Sequence, residues 1–244
     1  MLLFNNLNAR CSFIFLAGFF LIICLFFIKI APSKKPLSDC ENEQPKKRQG
    51  FIAAVKYPVV ILSAILLFFY AGSVLGFLTW PTTYFVSYNI KIFISSAALS
   101  SYYLFSILGL VITNFLIKKF KEINILVTGY IIGTVSLSLF SFIPLIYAKI
   151  FFLMIQGLAF ACVFPLVKSI PIDENPEASG TIIGFLHAAQ GIGVMIFQPI
   201  LGIFAENYGG KSIIFVILTG QLIGMTITIT LFILKRNKME FKKF

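Results

Sequence analysis

The sequence predicts an all-α membrane protein of about seven transmembrane helices, and three observations carry that prediction. Seven long uncharged stretches take up nearly the whole chain, at about 11–28, 57–90, 92–117, 123–148, 150–167, 178–205 and 212–234. Hydrophobic residues make up 59% of the chain and charged residues only 12%, against roughly 25% charged in a soluble domain. The charges cluster between the stretches. A helix needs roughly 17 to 25 apolar residues to cross a bilayer core, and each stretch reaches that range, the first and fifth at its lower limit. In lipid only helices and closed barrels satisfy every backbone group, and no stretch alternates as a barrel strand would.

The first stretch follows Arg10 and has the length of a secretory signal, but Ala31-Pro32-Ser33 is a poor small-residue cleavage site, so it is read as a retained membrane helix. Pro32 to Gln49 is the one linker. It holds Pro32, Pro36 and Pro45, the acids Asp39, Glu41 and Glu43, and the cluster Lys46-Lys47-Arg48, and it has no apolar face to bury. The expected organisation is therefore an external N-terminus with its first helix (1–31), a basic linker (32–56), a six-helix unit (57–234) and a basic tail (235–244).

Net charge of +11 raises the question of nucleic acid, and the placement of the charges answers it. Of the 20 basic residues, sixteen fall on one side when alternate loops are taken together: seven from Lys29 to Lys56, then Lys118, Lys119 and Lys121, then Lys168, then five from Lys235 onward. Arg10, Lys91, Lys149 and Lys211 fall on the other. By the positive-inside rule the heavily basic side is cytoplasmic, with the N-terminus outside and the C-terminus inside. The basic loops read as topology determinants beside anionic lipid, and no nucleic-acid partner is expected.

Cys11, Cys24, Cys40 and Cys162 have neither metal-ligand nor redox spacing, so no metal or cofactor is expected. No nucleophile constellation or phosphate loop is present, and Gly191-Ile192-Gly193 falls mid-membrane, so the chain is not expected to be an enzyme. A retinal protein needs a lysine in the middle of its last helix, and Ser212 to Leu234 has none. The acidic-arginine pair after the third helix and the Asn-Pro pair in the seventh, expected of a G-protein-coupled receptor, are missing as well.

Three local patterns carry a different resemblance. Gly76-Phe77-Leu78-Thr79-Trp80-Pro81 closes the second stretch, with Trp80 suited to a membrane interface and Pro81 to a break. Asn114-Phe115-Leu116-Ile117-Lys118-Lys119-Phe120-Lys121-Glu122 partly echoes a Gly-x-Leu-x-Asp-Arg-x-Gly loop, keeping Leu116 and basic Lys119 but not its glycines or aspartate. Ile172-Asp173-Glu174-Asn175-Pro176-Glu177-Ala178-Ser179-Gly180 opens a glycine-rich helix. With the one-plus-six division of helices, these resemble the sixth helix and C-terminal half of a major facilitator superfamily transporter, whose N-terminal half would then be missing.

In the glycine-rich helix Gly180, Gly184, His187, Gln190, Gly191, Val194, Gln198 and Gly202 fall within about a third of the circumference. Ile182, Phe185, Ala189, Ile196 and Ile200 form the opposite, greasy face. Small residues let a neighbouring backbone approach, so Gly180, Gly184, Gly191 and Gly202, with Gly220 and Gly224 of the last helix, read as helix-packing positions. His187 reads as the only acidic, basic or histidine side chain inside a span. An imidazole can change charge between pH 5 and 8, which makes His187 a proton-coupling candidate; a neutral ring bonded to another helix is the alternative.

The resemblance implies that the seventh, eighth, tenth and eleventh family helices border a central cavity. It picks Tyr70, Trp80, Tyr102, Gln156, His187 and Gln190 as substrate-contacting residues, with ordinary packing as the competing reading of each. It also implies transport of a small polar solute, such as an amino acid or organic acid, by alternating access between two halves. The expected partners are the solute, the lipid bilayer, and a separately encoded N-terminal half or a second copy of the chain, in a bacterial inner membrane. The rival is a non-transporting remnant or accessory membrane protein.

Overall fold

The computed structural model describes the backbone of residues 55–241 and the side chains of residues 55–236. The first predicted helix, most of the linker at 32–56, and Cys11, Cys24 and Cys40 lie outside the described residues. Every regular element among the described residues is helical: α1 (Pro58–Thr79), short α2 (Pro81–Val86), α3 (Ile92–Leu116), α4 (Glu122–Phe142), α5 (Ile146–Phe160), α6 (Val163–Glu174), α7 (Ser179–Tyr208) and α8 (Ile213–Phe241). With α5 and α6 forming one stretch, six spans are long and apolar enough to cross a membrane, and the protein is an all-α membrane protein.

Prolines set several ends. Pro58 and Pro81 occupy the first turns of α1 and α2, where a missing N–H costs nothing. Apolar Ile143 and Leu145 carry hydropathy past the end of α4, but Pro144 forces Ile143 into an extended conformation (φ −80°, ψ 126°), so α4 stops at Phe142. Pro165 cannot bond to the carbonyl of Ala161, and the ladder is interrupted at Ala161–Cys162, between α5 and α6. Gly209 ends α7 at φ 81°, a conformation that side chains with a Cβ rarely adopt.

The helices pack as a curved series in which α3 lies on α5, α5 on α4, α4 on α8, α8 on α1 and α1 on α7, with α6 against α1, α4 and α7. The core between them is apolar and aromatic. Near the α2 end of the core the fully buried Phe140 lies edge-on to Phe77 at 5.7 Å and tilted against Tyr84 at 5.3 Å. Glycine allows the closest approaches: a Cβ on Gly193 would overlap the Phe68 carbonyl, and one on Gly157 the Tyr102 carbonyl.

Burial is uneven. In the most apolar stretch of α1, 67% of residues are buried, but only 17% are in each of α3 and α7, the two ends of the series.

Two lysines assigned to loops lie elsewhere. Because α5 starts at Ile146, Lys149 belongs to its first turn and is 2% exposed. Because α6 runs through Pro171 to Glu174, Lys168 lies within a helix and not in the connection after it. His187 is therefore not the only ionisable group of its kind within the spans.

Candidate functional site

The arrangement of α7 defines the candidate site. Its buried residues Ile182, Leu186, Gly193, Phe197 and Leu201 form one stripe toward α1. Phe197 meets Phe68 and Phe69 of α1 edge-on, at ring separations of 6.0 and 6.1 Å. That packing turns Gly184, His187 and Gly191 outward, and all three are exposed. A Cβ at Gly180, Gly184 or Gly191 would meet nothing within 4 Å, and one at Gly202 would only graze Trp80. Gly220 differs: its Cβ position lies 3.0 Å from Phe197 and 3.1 Å from Ser73. A Cβ on Gly224 would overlap Tyr130.

Opposite Phe197, α1 departs from regular geometry. Ala71–Leu75 form a π turn, with Ser73 Oγ donating to the Phe69 carbonyl at 2.6 Å. Such turns widen a helix by one residue and recur at functional positions. A Cβ on Gly72 within it would overlap the Phe197 ring.

Nearer the α2 end, α1 and α7 are joined by polar side chains. Trp80 Nε1 donates to Gln198 Oε1 at 2.8 Å, and Gln198 Nε2 donates to Thr79 Oγ1 at 2.9 Å. The Trp80 N–H and the Gln198 amide thereby satisfy each other beside lipid.

Tyr70, Tyr102 and Gln156 lie within the bundle and not on its open face. Tyr70 donates to the Phe160 carbonyl at 3.5 Å, and Tyr102 and Tyr130 lie within electrostatic reach of it. Gln156 is 1% exposed, and neither its Oε1 nor its Nε2 has a partner among the described residues. The half-buried Gln190 likewise has an unpartnered Oε1. Burying an amide without partners costs free energy, so these positions suit exchange with water or a ligand. An apolar groove of about 300 Å³ between α3, α4 and α5, lined by Gly109, Thr113, Gly129 and Cys162 among others, includes none of the six predicted residues.

His187 has one polar partner among the described residues, Lys168, whose Nζ lies 3.0 Å from Nε2. An ammonium can only donate, so Nε2 accepts and the ring proton is assigned to Nδ1. Lys168 Nζ also sits 3.4 Å from the centre of the Phe164 ring, and that ring meets His187 edge-on at 6.3 Å. Lys168 is the residue that sequence reasoning missed. Its signal was the spacing Phe164, Lys168 on one helical face, which becomes visible only once α6 is known to continue past 167.

Comparison with known proteins gives two findings. The model of the Major Facilitator Superfamily matches residues 1–196. The Protein TsgA homolog of Buchnera aphidicola subsp. Baizongia pistaciae (strain Bp) is 24% identical over 213 residues, covering 86% of this chain and 52% of that protein. The chain thus spans about half the length of the curated relative it matches.

Proposed function

The chain belongs to the Major Facilitator Superfamily, and from that premise we propose that it moves a small polar solute across a membrane by alternating access, with its open face forming one wall of the solute path. One observation carries this reading. The two least buried spans, α3 and α7, end the helical series, and α7 turns His187, Gly184 and Gly191 away from its own bundle. A histidine and a lysine facing lipid would be costly, so a second six-helix unit covers this face. That unit lies elsewhere in the same polypeptide, on another chain or in a second copy. The solute is an amino acid, organic acid or similar metabolite, and the chain works as a carrier and not as an enzyme.

In this reading Trp80, His187 and Gln190 contact solute from α1 and α7, and Tyr70, Tyr102 and Gln156 shape the inner wall. The π turn and the broken α5–α6 span give two helices adjacent to the path a place to bend. The membrane is a bacterial inner membrane, with the Lys168 end of the bundle cytoplasmic, a reading the basic asymmetry supports. The test is uptake of radiolabelled amino and organic acids by proteoliposomes holding the chain with a second unit. Saturable accumulation of one class supports the reading. No accumulation of any, by protein that remains folded, would sink it.

A further inference from the structure

We infer that Lys168 and His187 form a binding site for the carboxylate of a small organic anion. The inference deepens the solute-path reading and rests on it. At 1.5 Å rise per residue, His187 lies about 12 Å along α7 from its start and Lys168 about 9 Å from the end of α6, each inside a stretch long and apolar enough to cross a membrane.

Lys168 Nζ lies 3.0 Å from His187 Nε2 and 3.4 Å from the centre of the Phe164 ring. Among the described residues no carboxylate is paired with either group. The lysine's surroundings are an imidazole and a π face, both of which accept a cation without neutralising it. A net positive charge therefore remains inside the span, on a face that Gly184 and Gly191 leave open on either side of the histidine. An uncompensated charge at that depth is costly, and an incoming anion relieves the cost.

The donor set selects the anion. Lys168 supplies a positive charge and, with one N–H given to His187 Nε2, two further N–H donors. The two oxygens of one carboxylate can take the two remaining ammonium donors, as charge-assisted bonds, while the imidazole holds the ammonium in place. A dianionic phosphate would need more charge than one lysine provides. Phe164 lies beside the pair as an apolar surface for the carbon skeleton.

Lys168 and His187 both belong to this chain, so the carboxylate contact is measurable without transport, through the ring nitrogen that holds the lysine. His187 is the chain's one histidine, and its ring nitrogens give an isolated ¹⁵N signal. The full chain in lipid nanodiscs is titrated with sodium acetate, sodium succinate, inorganic phosphate and methylammonium at constant pH and chloride. A saturable shift with acetate or succinate is expected, with apparent affinity about tenfold or more weaker in Lys168→Gln, since a charge-assisted bond is lost. Lys168→Arg, which keeps the charge, retains the shift.

No saturable shift with either carboxylate overturns the inference, as does an equal response in a folded Lys168→Gln protein or saturation by phosphate or methylammonium alone. Saturable uptake of an uncharged solute beside a failed titration would sink the carboxylate site and leave the transport reading standing. A bound carboxylate with no uptake in the two-unit assembly would do the reverse.

Discussion

Lys149 Nζ donates to Tyr84 Oη at 2.9 Å, joining the first turn of α5 to α2. A second donation, at 2.7 Å, goes to the carbonyl of Phe140, one of the orphan acceptors in the last turn of α4. The ammonium also lies over the rings of Phe140 at 4.7 Å, Tyr88 at 5.1 Å and Tyr84 at 5.3 Å. Burial, then the hydrogen bond with Tyr88, holds the Tyr84 phenol far above its ordinary range, so it meets the lysine as a neutral acceptor. One side chain thus closes three helix ends.

Removing that closure should destabilise the bundle. Lys149→Met keeps most of the stem but strands the Phe140 carbonyl and leaves the Tyr84 hydroxyl with Tyr88 alone, an expected cost of about 1–3 kcal/mol. Tyr84→Phe removes one acceptor and should cost about 1 kcal/mol. Thermal unfolding in detergent reads both, and a Lys149→Met protein as stable as the parent would show the cage to be incidental.

Gly224 and Gly191 should respond oppositely to the same change. Gly224→Ala drives a methyl into Tyr130 and should cost about 1–3 kcal/mol by overpacking, partly restored by Tyr130→Phe. Gly191→Ala meets open space and should leave stability of the chain unchanged. Equal losses at the two sites would contradict the assignment of the open face.

The basic asymmetry makes the proposed orientation testable. In intact cells an impermeant thiol reagent should label Tyr208→Cys, at the exposed end of α7, and spare Lys47→Cys. The reverse pattern would overturn the helix orientation.

Substituting His187 tests whether the imidazole serves the lysine. In the two-unit assembly His187→Gln should keep folding and weaken solute affinity, because Lys168 Nζ loses the ring nitrogen that holds it at 3.0 Å. Unchanged affinity and rate in a folded protein would contradict that role.

The apolar runs reveal six described spans in the sequence because hydropathy sums over twenty residues and tolerates local error. Ends were harder to read. Ile143 and Leu145 are as apolar as the helix before them, and only the backbone restriction from Pro144 separates α4 from α5. That shift carried Lys149 from a loop into the core, and the longer α6 brought Lys168 to His187. The polar stripe of α7 was legible from its period, but a period does not say which stripe meets a neighbour. Gly191 and Gly224 look alike in sequence, yet one faces open space and the other Tyr130. The π turn at Ala71–Leu75 left no sequence signal that we can identify.

The dependence of the solute path on a second unit is tested most directly by copy number. The chain is reconstituted at dilutions from many copies to at most one copy per vesicle, and saturable uptake of radiolabelled amino and organic acids is followed. The account predicts none at one copy per vesicle, with uptake returning only when a second unit is supplied or when two copies share a vesicle. Saturable uptake by single copies would contradict it.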